Sequence, residues 1–158
     1  MRVIVLGSAA GGGYPQWNCR CSVCRRGWEQ GHRLTQSSVA VSAAGEDWVL
    51  LNCSPDIREQ IGRTPALRPR GGVRSSPISA ILLTNGDIDH IGGLLTLRER
   101  TPLSIYCAAE TRESIGRNPI FSALASGIVR WPRLRLETPF KLNGLAFQAF
   151  PVAGKIPL

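Results

Sequence analysis

The sequence predicts an α/β fold in which short buried strands alternate with short helices. A run of apolar residues, 80–83, is bounded by turn residues and precedes apolar residues at helical spacing. The same strand-then-helix order returns at residues 103–115. Before both, the alternating residues 37–42 and the apolar residues 48–52 flank one turn, which is typical of a β-hairpin. A hairpin followed by strand–helix alternation fits one half of a four-layer αββα sandwich.

The first elements are a strand and a glycine-rich loop. Residues 2–6 predict a buried strand, and the loop at residues 7–13 follows it. The loop leads into Tyr14 and Pro15 rather than a helix and lacks Gly-Lys-Ser/Thr, so it is not predicted to bind phosphate. Its glycines are expected to let the backbone pass close to an active site.

The elements after the hairpin are predicted from caps and turns. Ser54 and Pro55 have the form of a helix start, with Ser54 as N-cap and Pro55 at the first helical position. Cys53, just before, is expected to be a buried small hydrophobe. Further on we expect a loop at 63–77, a short helix at 120–126, and strands at 134–138 and 145–150 with the turn Asn143-Gly144 before the second.

Composition limits the classes of function. The 158 residues suit a single domain, and the formal net charge is +8. Because the arginines are scattered and not interleaved with aromatic residues, we expect no nucleic-acid partner. No apolar stretch is long enough to span a bilayer, and no export-length signal follows the first strand, so we expect a soluble cytoplasmic protein without membrane insertion.

Three of the five cysteines lie within six residues, at Cys19, Cys21 and Cys24. In a reducing compartment such spacing favours metal over disulfides, and thiolates favour zinc. A structural zinc site usually has four ligands. His32 is the nearest candidate for the fourth, although a surface position suits it better, and free cysteines are the alternative interpretation of the cluster.

Two carboxylates and an imidazole, those of Asp87, Asp89 and His90, follow the predicted strand at 80–83. Ligands commonly bind at the carboxyl end of such a strand, and this donor set suits iron, zinc or manganese. The alternative is a helix cap, because Asp is favoured at a helix start. Two acids beside one of only two histidines favour a metal or catalytic site.

This turn resembles the signature His-x-His-x-Asp-His of the metallo-β-lactamase superfamily, with Asn85 and Asp87 in place of the first two histidines and the Asp89–His90 pair retained. It is most similar to the members that take part in biosynthesis of the redox cofactor pyrroloquinoline quinone (PQQ). The matching segments are residues 84–90, 92–99, 7–19, 52–58 and 150–155.

The resemblance implies a metallo-β-lactamase-like αββα sandwich. That family is about twice as long, so residues 1–158 are expected to form a single incomplete domain, its N-terminal half. The implied activity is metal-dependent hydroxylation of the tyrosine moiety of a Glu–Tyr-derived, peptide-derived PQQ precursor. Fe²⁺ or another divalent metal would be held by Asp87, Asp89 and His90, with Zn²⁺ structural at the cysteines. Two alternatives remain open, a carrier of PQQ or its precursor toward the periplasm and a two-metal hydrolase of the superfamily. A homodimer of the full-length form is compatible with the resemblance.

Overall fold

A computed structural model describes residues 1–153. Its main sheet is mixed and has six strands, and Asp87, Asp89 and His90 lie at one edge of it. The strands are β1 (Arg2–Gly7), β2 (Ser38–Ser42), β3 (Trp48–Leu51), β4 (Ile78–Leu82), β5 (Leu103–Tyr106) and β6 (Val129–Arg130), with a separate hairpin of β7 (Phe140–Leu142) and β8 (Leu145–Phe147). The helices are α1 (Ser22–Gln30), α2 (Ile57–Arg63), α3 (Ile88–Ile91) and α4 (Ala109–Gly116), and 3-10 turns cover Pro65–Leu67, Gly92–Leu95 and Pro119–Ala123.

The strand order follows the chain, β1-β2-β3-β4-β5-β6. The first three strands pair antiparallel, and β3 through β6 pair parallel. Because the carboxyl ends of parallel strands meet at one edge, the turns after β3, β4 and β5 lie side by side there. The predicted hairpin and strand–helix alternation are therefore confirmed. The first strand forms where it was predicted, but it is not buried, because β1 is the last strand on its side of the sheet and one of its faces is uncovered.

The main core lies on the face of the sheet that the helices cover. Leu50, Ile81 and Ile105, from three neighbouring strands, are fully buried and pack with Ile57 of α2 and Ile115 of α4. Full burial of one such aliphatic side chain contributes about 1.5–3 kcal/mol. This packing fixes the carboxyl ends of the strands, and the turns after β3, β4 and β5 begin there.

The opposite face of the sheet is only partly covered. Val41, Val49 and Ala80 are buried there, with the β7–β8 hairpin packed over one part. Toward β1 the cover ends, and Val3 and Val5 are 54% and 64% exposed. An apolar sheet face left open in this way is what one half of a sandwich presents.

The structure corrects three local predictions. Helix α2 begins at Ile57 rather than at Pro55, and the Ser54 hydroxyl donates to Gln60 Oε1 at 3.2 Å instead of capping the helix. The helix predicted at 120–126 is a 3-10 turn, Pro119–Ala123. The strand predicted at 134–138 does not form, and the hairpin strand begins at Phe140, whose ring stacks on Tyr106 and Phe147.

The turn at Asn143-Gly144 is as predicted, with both residues at positive φ. Gly154 and Lys155, the end of the last matching segment, lie outside the described residues. Within residues 1–153 no helix is long and apolar enough to cross a bilayer.

Candidate metal centres

Residues 84–90, which we call the metal turn, follow β4 at the carboxyl edge of the sheet and include the first residues of α3. Strand β4 pairs with β3 on one side and β5 on the other, so the turn leaves from the interior of the sheet. The backbone of α3 is tied down, because Cys53 N–H donates to His90 O at 2.7 Å and Gly93 N–H donates to Cys53 O at 2.9 Å. The position of His90 is thus set by the segment that follows β3.

Asn52 anchors the start of the metal turn. Its backbone is left-handed, with φ of 62°, a conformation that Asn tolerates better than most residues. The buried Asn52 Oδ1 accepts two hydrogen bonds from Thr84, from the backbone N–H at 2.9 Å and from the hydroxyl at 3.0 Å. The carboxyl ends of β3 and β4 are therefore locked together at the point where the site begins.

Asn85 orients the imidazole of His90. Asp87 N–H donates to Asn85 Oδ1 at 3.0 Å, which identifies that atom as the amide oxygen. His90 Nδ1 lies 2.7 Å from the same oxygen and must therefore donate to it, with Thr84 Oγ1 a second contact at 3.3 Å. A proton on Nδ1 leaves the lone pair on Nε2, the tautomer in which a neutral imidazole binds a metal.

The free Nε2 of His90 faces a carboxylate. It lies 3.9 Å from Asp89 Oδ2, and the two side chains are only 18% and 22% exposed. Two atoms at that separation can both bind one ion, because metal–ligand bonds of imidazole and carboxylate are about 2.0–2.2 Å.

Asp87 occupies the N-cap position of α3, but its side chain makes no capping hydrogen bond. Its Oδ2 instead accepts from Asn85 Nδ2 at 3.2 Å. The helix-cap interpretation therefore does not account for this carboxylate. The structure brings Asp89 and His90 together, but it does not bring the Asp87 carboxylate within 4.8 Å of both, so the predicted three-ligand group is not assembled in the described residues.

The glycine-rich loop passes close to the same site. A Cβ on Gly11 would meet the Asp89 side chain at 3.7 Å, so the loop backbone passes directly against that carboxylate. The loop is held by Gln36, whose Oε1 accepts from Gly12 N–H at 3.2 Å and whose own N–H groups donate to Asp56 Oδ2. Of the glycines in the loop, Gly11 is the one that approaches Asp89, whereas Gly12 and Gly13 lie against Gln16 and Leu34.

The cysteine cluster forms a second candidate centre at the start of α1. Cys19, Cys21 and Cys24 place their sulfurs within 4.8 Å of one another, the one such grouping of three ligand atoms among residues 1–153. A hydrogen bond from the Cys24 backbone N–H, then one from the Cys19 thiol, lowers the pKa of the Cys21 thiol to about 7. His32 is exposed and lies outside the cluster.

The other two thiols do not belong to either centre. Cys53 is fully buried, as predicted, and burial raises its pKa. Burial also raises the pKa of Cys107 to about 11, which keeps that thiol protonated at neutral pH.

Sequence reasoning missed the positioning roles of Asn52 and Asn85. Asn52 was visible only as part of a matching segment, and its partner Thr84 is 32 positions away. Asn85 was visible only as the residue in place of a histidine of the signature. In the structure it donates to Asp87 and accepts from His90.

Residues 47–158 match the family model of a beta-lactamase superfamily domain. The chain belongs to this superfamily. Its members among solved structures include the Zn²⁺-bound PqqB from Methylobacterium extorquens, 50% identical with a TM-score of 0.96 over 100% of this chain and 54% of that one. A diphosphatase from the PhnP family is 29% identical, with a TM-score of 0.71 over 92% of this chain and 54% of that one.

Curated members of the superfamily agree. The chain is 52% identical to coenzyme PQQ synthesis protein B of Methylobacterium nodulans and 52% identical to that of Xanthomonas axonopodis pv. citri, over 100% of this chain and 54% of each relative. The resemblance predicted from the motifs and the half-sandwich fold are thus confirmed. The chain spans about half the length of the curated relatives it matches.

Proposed function

We propose that residues 1–158 form one incomplete domain of a metal-dependent oxygenase in PQQ biosynthesis. The observation that carries the proposal is the orientation of His90, whose Nδ1 is bonded to Asn85 so that Nε2 faces Asp89. Identity of 52% to coenzyme PQQ synthesis protein B supplies the pathway. A partly buried imidazole–carboxylate pair at a strand end is the kind of site at which superfamily chemistry can occur.

Cys19, Cys21 and Cys24 would hold a structural Zn²⁺. Their sulfurs, within 4.8 Å of one another, suit three corners of a tetrahedral ion with Zn–S bonds of about 2.3 Å. The solved relative is described as Zn²⁺-bound, which supports zinc without locating it here. Zinc bound in this way would add its binding free energy to folding.

His90 and Asp89 would hold the catalytic metal, most consistently Fe²⁺. Mixed imidazole and carboxylate ligation with open positions is the arrangement used by non-haem iron oxygenases. When bound, the iron would supply activation of O₂. At least one further histidine ligand is expected from the part of the relatives' length that this chain does not span.

The remaining residues of the turn would serve the reaction by position. Asn85 keeps the Nδ1 proton of His90 in place and holds Asp87 through its Nδ2. Asp87 would act either as a further ligand or as a base beside the substrate. The glycine-rich loop against Asp89 would limit the access of water to that side of the site. The proposed reaction is hydroxylation of the tyrosine moiety of a Glu–Tyr-derived precursor. One oxygen atom of O₂ would replace a ring C–H by C–OH, and the other would leave as water with two protons and two electrons from an external reductant.

The likeness to a diphosphatase of the PhnP family favours one alternative, a metal-dependent hydrolase. Hydrolysis in such sites uses two metals, which stabilise the attacking and the leaving oxygen atoms. The substitution of Asn85 and Asp87 for two histidines of the signature argues against a dinuclear zinc centre.

The test uses the complete protein loaded with Fe²⁺ and incubated aerobically with the Glu–Tyr-derived peptide and a reductant that supplies two electrons per turnover. Oxygen uptake and a product heavier by one oxygen atom are expected, and neither should occur without O₂ or in the His90→Ala variant. Two zinc ions per chain at the metal turn, with phosphodiester cleavage and no oxygen uptake, would instead establish the hydrolase. Tight binding of the peptide or of PQQ without turnover would establish the carrier.

A further inference from the structure

A cavity of about 620 Å³ opens between the end of β5, the start of α4 and residues 131–136. It exists because β6 pairs with β5 only at Leu103 and Ser104, after which the chain leaves the sheet. On the side of β5 that faces β6, Ile105 and Tyr106 have no strand neighbour among the described residues. The volume lies within the range of small-molecule sites, about 300–1,000 Å³.

Three arginines are among the residues that line this cavity, Arg112, Arg133 and Arg135. None of the four arginine–glutamate ion pairs found in residues 1–153 involves them. Two acids, Glu110 and Glu113, also line the wall.

The acids do not cancel the three positive charges. Glu113 is paired with Arg117 on the same helix, at 3.5 Å, so Glu110 is the acid of the wall for which no ion pair is found in the described residues. Among the described residues, the wall therefore carries three arginines against one acid, Glu110, that has no ion pair, which leaves an excess of positive charge.

The charge of the wall favours a ligand with anionic groups. The Arg112 guanidinium lies 4.1 Å from the centroid of the Trp131 ring, a cation–π contact at the wall of the cavity. Ile105 and Cys107 form an apolar floor, and Cys107 remains a neutral thiol. Guanidinium forks recognise carboxylates through paired hydrogen bonds.

We propose that this cavity binds a small molecule that carries two or more carboxylates, held by Arg112, Arg133 and Arg135. The site is separate from both candidate metal centres, because none of its lining residues belongs to the metal turn or to the cysteine cluster. The proposal stands whether or not the chain is an oxygenase.

The test is isothermal titration of the complete protein with benzene-1,3,5-tricarboxylate at fixed ionic strength. Saturable binding is expected, and the Arg133→Gln/Arg135→Gln double variant should bind at least about tenfold more weakly, since charged hydrogen bonds are lost. Arg63→Gln is the matched control, because Arg63 pairs with Glu59 on α2 and does not line the cavity. Both altered side chains of the double variant are exposed, so folding should be preserved.

Two further arms locate and classify the site. His90→Ala should leave the affinity for the tricarboxylate unchanged. If this variant lost that affinity, the ligand would bind at the metal turn and the proposal would be overturned. Inorganic phosphate at equal ionic strength should bind much more weakly, and equal affinity would overturn the assignment to carboxylates. Absence of saturable binding, or equal affinity in the double variant, would also overturn it.

Discussion

Replacement of Asn85 by alanine tests how the metal turn is organised. The change removes three hydrogen bonds: from His90 Nδ1 at 2.7 Å, from Asp87 N–H at 3.0 Å and to Asp87 Oδ2 at 3.2 Å. Partners that orient a metal-binding histidine typically contribute about 10–100-fold to metal affinity, or about 1.4–2.7 kcal/mol. We therefore expect the dissociation constant for the catalytic metal to rise by that factor, with little loss of global stability because the turn is partly exposed.

The assay is competition with a chelator of known affinity in the complete protein, with the cysteine site already filled with zinc. Asn85→Asp is the matched control, because it keeps an oxygen acceptor for His90 and for Asp87 N–H and should retain most of the affinity. If Asn85→Ala is folded and binds metal as tightly as the natural protein, His90 is not oriented by Asn85 and the reasoning is refuted.

Further predictions concern zinc and packing. Cys21→Ser should lower zinc content and soluble yield, whereas Cys107→Ser, outside the cluster, should leave zinc content unchanged by metal analysis; equal zinc in both would contradict a structural site. Gly93→Ala should lower the free energy of unfolding by about 1–3 kcal/mol in urea denaturation, because its Cβ would lie 2.1 Å from Ser54 O. Gly62→Ala, with nothing within 4 Å of the new Cβ, should instead be neutral or stabilising by about 0.5–1 kcal/mol, and a similar loss in both would contradict the packing argument.

The alternation of strands and helices and the place of the metal turn were predictable from local pattern. Residues 80–83 form a short apolar run with polar residues after it, and a buried strand-to-helix junction is the arrangement that buries such a run. The turn at Asn143-Gly144 was equally local, since both residues accept positive φ.

What the sequence did not show depends on contacts between distant residues. Ser54 looks like a helix cap, but Gln60 offers its hydroxyl a buried acceptor. Residues 134–138 alternate like a strand, yet the chain has already left the sheet after β6 and lines a cavity instead.

The role of Asn52 was equally hidden from local pattern. It depends on a left-handed backbone and on a partner in the next strand, Thr84, neither of which periodicity reports.

The most direct test of the account is the metal content and oxygen uptake of His90→Ala in the complete protein. Because Nε2 of His90 and the Asp89 carboxylate, 3.9 Å apart, are the proposed ligands, the variant should retain zinc at the cysteines and lose both the catalytic metal and turnover. Asp87→Asn, measured in parallel, should lose turnover more than metal if Asp87 is a base, and both equally if it is a ligand. Full iron occupancy with normal oxygen uptake in His90→Ala would contradict the assignment of a catalytic metal to this turn.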